Sequence, residues 1–185
     1  MKTSFELRDN CRLIVQQGDI TQIPVDAIVN AANPRMLGGG GVDGAIHLAA
    51  GPQLEEACQK ILEVQDGMRC PRGEARITPG FNLPSKYVIH TVGPVYETVE
   101  LSSPILESAH RSALRLAKAH EVQTISFPAI SCGIYGFPVA EAAEIAIREC
   151  NRAHNGLREI RFVLFGSATF EVWLEAAQKA CTHKK

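Results

Sequence analysis

The chain has 185 residues, of which 45% are hydrophobic and 21% charged, and a formal net charge of −1. That is the balance of a soluble globular protein, and its length suits one domain with a full three-layer core. It excludes three classes: no apolar run reaches the length of a membrane helix, the opening MKTSFELRDN lacks a signal-peptide core, and no long basic run offers a non-specific nucleic-acid surface. Cys11, Cys58, Cys70, Cys132, Cys150 and Cys181 form no C-x-x-C pair, which points to reduced thiols in the cytoplasm and away from structural zinc.

In chain order, Ser4 to Arg8 reads as an edge strand, turned by Asp9-Asn10 into a second strand at Arg12 to Gln16. Gly18-Asp19-Ile20-Thr21 follows as a turn, in which spacing alone makes Asp19 a connector cap. The segment Asp26 to Gly51 organises the rest. Ala27-Ile28-Val29 is a short buried strand, Asn30 and Asn33 follow, and a connector ends in the glycines Gly38 to Gly41. A helical pattern starts at about Asp43, with that acid as cap or first-turn residue. Strand, glycine loop and helix N-terminus together predict an anion site, because glycine admits close backbone N–H groups and the first helical turn has unpaired donors.

Two common phosphate motifs fit poorly. Gly39, Gly41 and Gly44 spell G-x-G-x-x-G, but roughly eight residues part them from the strand, and the acid about twenty residues on, Glu63, sits in a helical pattern. A P-loop needs Lys-Ser/Thr where Val42-Asp43 stands. A carboxylate beside bound phosphate weakens affinity, so Asp43 is a candidate for chemistry.

Further along, Leu54, Ala57, Cys58, Ile61 and Leu62 keep helical spacing to near Gly67, and Met68 to Pro71 with Gly73 form a loop. Ala75 to Thr78 and Tyr87 to Thr91 read as strands, with a surface loop from Pro94 to Pro104. An amphipathic helix is predicted over Ile105 to His120 and a buried strand over Thr124 to Phe127. A second glycine loop, Ser131 to Pro138, leads into a helix from Val139. Ile160 to Phe165 is the most β-prone run, a final helix carries Phe170, Trp173 and Leu174, and His183-Lys184-Lys185 reads as a solvated tail. Apolar strands alternating with helices imply a mostly parallel sheet covered on both faces, made mixed by its first strand. The two strand–glycine loop–helix units, residues 27–50 and 124–150, meet beyond the carboxyl ends of their strands, an arrangement suited to a diphosphate.

Several blocks together resemble a macrodomain of the MacroD-type branch over nearly the whole chain. They are Gly18-Asp19-Ile20-Thr21, Asn30-Ala31-Ala32-Asn33, Gly38 to His47, Ala49-Ala50-Gly51, His90-Thr91-Val92-Gly93-Pro94 and Ser131 to Pro138. The resemblance implies one macrodomain over residues 1–185, a three-layer α/β/α sandwich around a mixed, mostly parallel six-stranded sheet. It implies binding of ADP-ribose and hydrolysis of mono-ADP-ribosyl esters on acidic side chains and of O-acetyl-ADP-ribose, by a cytoplasmic monomer with no cofactor or metal. Its partners would be ADP-ribosylated proteins or O-acetyl-ADP-ribose; cleavage of poly-ADP-ribose chains belongs to a branch with another acidic signature. The alternative is a non-catalytic ADP-ribose reader or RNA-associated regulator, which the near-neutral charge and the intact Asn33/Asp43 pair disfavour.

The same resemblance assigns roles. Asp19 would accept from the adenine amino group with the Ile20 backbone beside it, and Phe165 would stack on adenine. As a lone strand-end aromatic, Phe165 fits core packing equally well, and the Tyr-Asp common here in the family is replaced by Phe165-Gly166. Gly40, Gly41 and Val42 would cradle one side of the pyrophosphate and distal ribose, and Ser131, Cys132, Gly133, Ile134 and Tyr135 would offer backbone donors to the other. Asn33 would fix the distal ribose hydroxyls, and Asp43 would orient or deprotonate a water near the anomeric carbon. Asn30 would bond the surrounding loops and belong to the substrate-binding residues. His47 and His90 read as core histidines, and Cys132 as a thiol without a catalytic part.

Overall fold

Strands buried on both faces must be flanked by helices, and the chain alternates accordingly. The computed structural model describes residues 1–153 and 156–182; the predicted tail His183-Lys184-Lys185 lies outside them. The strands are β1 (Lys2–Glu6), β2 (Arg12–Gln17), β3 (Ala27–Ala31), β4 (Ala75–Pro79), β5 (Tyr87–Thr91), β6 (Thr124–Phe127) and β7 (Glu159–Leu164). They form one sheet in the order β1-β2-β7-β6-β3-β5-β4. From β2 to β5 all neighbours are parallel; β1 and β4 pair antiparallel at the two edges. The sheet therefore has seven strands rather than six, and every run read as a strand is one.

Helices α1 (Gly41–Ala50) and α2 (Pro52–Gln59) cover one face, where Ile46, Ala50 and Leu54 pack on Ile28, Val88 and Val163. The other face carries α3 (Val99–Ala119), α4 (Val139–Ala153) and α5 (Ser167–Thr182), over the larger core of Leu13, Val29, Ile89, Phe127, Phe162 and Trp173. Alternation within the strands sorts the side chains: Ala27, Val29 and Ile89 face α3 to α5, and Ile28 and Val88 face α1 and α2.

Three boundaries differ from the sequence reading. The first strand runs from Lys2 to Glu6 rather than from Ser4 to Arg8, because Asp9 and Asn10 take left-handed φ values of 58° and 60° in a 3-10 turn and Leu7 already turns inward. Helix α2 stops at Gln59, where Lys60 N–H bonds the Ala57 carbonyl at 3.2 Å. Ile61 leaves the helical track to pack beside Met36, Cys70 and Val92. Most of the expected Pro94–Pro104 loop is helix. Thr98 caps α3, its Oγ1 accepting from Leu101 N–H at 3.3 Å, and Pro104 lies inside that helix. The bond that proline forgoes would go to the carbonyl of Glu100, an exposed residue whose carbonyl can turn to water.

Candidate active site at the carboxyl edge of the sheet

All five parallel strands end on one edge, so the segments after them converge there. The loops after β3 and β6, neighbours in the sheet, wall a cleft of about 280 Å³. Of the residues expected at the site, Asn33, Gly40, Gly41, Val42, Asp43, Ser131, Gly133, Ile134 and Tyr135 line it. The cleft also takes in Ala32, Gly39, Ala129, Ile130 and Gly93, which the site assignment missed. Gly93 had a signal: it lies just past the end of a buried strand, β5. A Cβ there would stand 2.1 Å from Ser131 Oγ and 2.7 Å from Ile130 Cγ2, so only glycine lets the end of β5 meet the β6 loop. Ser131 itself holds a left-handed φ of 65°, and its hydroxyl is buried without a protein partner.

Helix α1 begins at Gly41, capped by Gly40, which places Asp43 in the first turn and its carboxyl under the cleft, only 4% exposed. Asn30 Nδ2 donates to Asp43 Oδ1 at 2.6 Å, and His47 Nε2 lies 3.5 Å from the same oxygen. Oδ2 accepts no bond from the protein. Burial raises the carboxyl pKa above the ordinary range, against the opposing pull of the Asn30 bond and of His47. Desolvation thus dominates at Asp43, which makes its carboxylate a better proton acceptor.

Asn33 is braced by its own loop: Nδ2 donates to the Gly38 carbonyl at 3.0 Å, and Oδ1 accepts from Arg35 N–H at 3.1 Å and Met36 N–H at 3.2 Å. One amide N–H remains for a ligand. Between this amide and Asp43 sits Gly39, whose Cβ would stand 3.2 Å from Asn33 Nδ2 and 3.0 Å from Asp43 Oδ2. The missing side chain keeps the two groups facing one open space.

The remaining expected residues lie outside the cleft. Asn30 is fully buried beneath it, a support for Asp43 rather than a lining residue. Ile20 packs in the smaller core. Asp19 caps a 3-10 turn, Oδ1 accepting from Thr21 N–H at 2.9 Å and Thr21 Oγ1 at 2.7 Å, which leaves Oδ2 available. Phe165 is 87% exposed just past β7, so core packing is ruled out for it. These two lie together, since Gly18 N–H bonds the Leu164 carbonyl at 2.9 Å. The Cys132 thiol turns towards the Ile130 carbonyl and the core, and burial pushes its pKa up to about 12. His47 is largely buried, its side chain 13% exposed, but it is not fully satisfied: Nε2 makes no hydrogen bond and faces Asp43 Oδ1 at 3.5 Å. His90 is fully buried, as its strand position implies.

The family model described as the macro domain matches residues 29–146, the stretch from β3 to α4 that holds both glycine loops. The chain belongs to the macro domain family. Over 160 residues this macrodomain is 54% identical to a macro domain-containing protein of Vibrio parahaemolyticus, covering 86% of this chain and 94% of the relative. It is 58% identical over 138 residues to a protein of Salmonella gallinarum named O-acetyl-ADP-ribose deacetylase, covering 74% of this chain and 76% of that one. The macrodomain of Oceanobacillus iheyensis with ADP superposes with a TM-score of 0.91 at 40% identity, covering 100% of this chain and 98% of the other. A Trypanosoma brucei macrodomain in complex with ADP-ribose gives 0.80 at 36% identity, with coverage of 92% and 73%. Among the described residues no helix is long and apolar enough to cross a membrane, and no group of three His, Cys, Asp or Glu could hold a metal ion.

Proposed function

We propose that this macrodomain binds ADP-ribose and hydrolyses esters of it: mono-ADP-ribosyl groups on acidic protein side chains, and O-acetyl-ADP-ribose. The observation that carries the reading is the order of parts along the carboxyl edge. An acid-bearing turn follows β2, an exposed phenylalanine follows β7, a glycine loop follows β6, and a glycine loop with a buried acid follows β3. That sequence matches adenine, pyrophosphate and distal ribose read from one end of the ligand to the other. The relatives named as deacetylases and the macrodomains seen with ADP and ADP-ribose support it. The cytoplasmic setting in this reading rests on the cysteine spacing, which forms no C-x-x-C pair.

In the mechanism, backbone N–H groups of both loops hold the pyrophosphate and Asn33 orients the distal ribose. A water between Asn33 and Asp43 attacks the anomeric carbon; its oxygen forms the new bond as the bond to the glutamate carboxylate breaks. The leaving carboxylate departs as an anion and needs no proton. The water's proton passes to Asp43 Oδ2 or to a phosphate oxygen of the substrate. For an acetyl ester the water attacks the ester carbonyl and passes a proton to Asp43; as the bond from the acyl carbon to the ribose oxygen breaks, that proton goes to the ribose oxygen and acetate is released.

The test is release of ADP-ribose from a protein mono-ADP-ribosylated on glutamate, by wild type and Asp43→Ala, with calorimetry of free ADP-ribose on both. Release by wild type alone, with binding kept in both, is the expected result. Binding without release by wild type would make the protein a reader, or an enzyme for another ADP-ribose ester.

A further inference from the structure

Asn30 and His90 are direct partners across the parallel strands β3 and β5, and both are fully buried. Each interrupts an otherwise apolar run, at the expense of β-propensity and of desolvating a polar group. Their hydrogen atoms can be placed by elimination. Asn30 Nδ2 can only donate, and it lies 2.6 Å from Asp43 Oδ1 and 3.2 Å from His90 Nδ1. His90 Nδ1 must therefore accept. Its proton then sits on Nε2, which donates to Thr78 Oγ1 at 2.9 Å. With Asp43 ionised, the state that accepts a proton from water, the reversed amide would set an oxygen against its carboxylate.

We infer that His90 is a positioning residue for Asp43: it holds the Asn30 amide so that an N–H is fixed on Asp43 Oδ1 and Oδ2 is reserved for the substrate water. The inference rests on the hydrolase reading above and adds a residue to it. Asn30 Oδ1 accepts no bond, so the orientation of that amide depends wholly on the two acceptors facing Nδ2. Without the one on His90, only the carboxylate that the amide is meant to steer is left. The arrangement also needs a neutral imidazole, since an N–H on Nδ1 would meet the N–H of Asn30. Burial, with His47 nearby, holds the His90 pKa at about 3, so the ring stays neutral at working pH. The groups facing the pair are His47 on α1, with its ring centroid 6.4 Å from that of His90, and Cys58 on α2, with its sulfur 3.8 Å from His90 Nε2. Burial pushes that thiol up to about 12, so it carries no charge. Thr78 on β4 completes the shell.

Two substitutions separate the acceptor from the bulk. His90→Asn puts a carbonyl oxygen where Nδ1 stood; His90→Gln puts its amide near the old Nε2 and leaves no acceptor facing Asn30. The first readout is the Asp43 carboxyl, followed by carbon NMR against pH. In H90Q its midpoint moves upward, because the bond from Asn30 that favours the carboxylate is no longer fixed; in H90N it stays near the wild-type value. The second readout is turnover. H90Q lowers kcat about ten- to a hundredfold with KM and ADP-ribose affinity within about twofold, and the acidic limb of its pH profile moves upward. H90N recovers most of the loss. Should H90Q not fold, Thr78→Val removes the acceptor for Nε2–H and moves the Asp43 midpoint in the same direction. Unchanged titration of Asp43 in H90Q, or equal loss of turnover in H90N and H90Q, overturns the inference. Failure of the hydrolase reading looks different: wild type releases no ADP-ribose, while the NMR titration still decides the part played by His90.

Discussion

Phe165→Ala separates a residue that builds the fold from one that meets a ligand. The side chain is 87% exposed, next to Leu164 at 1%, so its loss should shift folding by no more than about 0.5 kcal/mol, or 1–2 °C in thermal midpoint. If adenine stacks on it, the binding effect is larger: stacking of a base on an aromatic ring is worth about 1–3 kcal/mol, or about 5- to 150-fold in Kd. The assay is calorimetry with ADP-ribose and, as a probe without adenine, ribose 5-phosphate. Phe165→Ala should weaken ADP-ribose within that range and leave ribose 5-phosphate unchanged, and Phe165→Trp should restore the affinity. Equal loss for both probes, or no loss for either, would refute the placement of adenine at the end of β7. So would a fall of several degrees in thermal midpoint, since Phe165 would then belong to the core.

Asp19→Ala removes the acceptor for Thr21 and, on the proposed reading, the carboxylate that meets adenine; calorimetry should then show ADP-ribose weakened by about 1–3 kcal/mol. His90 and His110 are held by burial at about 3 and about 4, against an ordinary 6.5. As pH falls from 6.5 the unfolded chain takes up protons that the folded chain refuses, so stability is lost by about 1.4 kcal/mol per pH unit for each histidine until about pH 4. Urea unfolding between pH 7 and 4.5 reads that slope, and a flat profile would show the histidines accessible. At neutral pH the Cys132 thiol, at about 12, should resist iodoacetamide in the folded protein; rapid mass gain at that residue would refute its burial.

The central strands were legible because β3, β5, β6 and β7 are apolar on both faces, a pattern that length and flanking glycines separate from helix. The glycine loops were legible for the same reason: few residues besides glycine bring main-chain donors to an anion. Proline misled at residue 104, since a missing donor in the second turn of an exposed helix is tolerated, and the cap at Thr98 went unread. Ile61 and Leu62 continued the helical spacing of α2 after the backbone had left it, because a third small cluster claims Ile61. At the site, the sequence marked Asn33 and Asp43 but not the bracing beneath them. The contact of Asn30 with Asp43 spans 13 residues and its contact with His90 spans 60. Both depend on the pairing of β3 with β5 and on α1 folding back over them. Two polar residues in two buried strands were the available signal, and a lone buried histidine reads as core until its neighbour is known.

The order of the strands has a metrical consequence. Between the turn after β2 and the loop after β3 lie three strand-to-strand steps, each about 4.8 Å, so the two stand about 14 Å apart across the sheet. Ladder hydrogen bonds fix that span, and changing it means unpairing strands rather than moving loops. The sheet is therefore a gauge for ligand length. A compound short of the span reaches the acid after β2 or the acid after β3, but not both, whatever side chains line the loops.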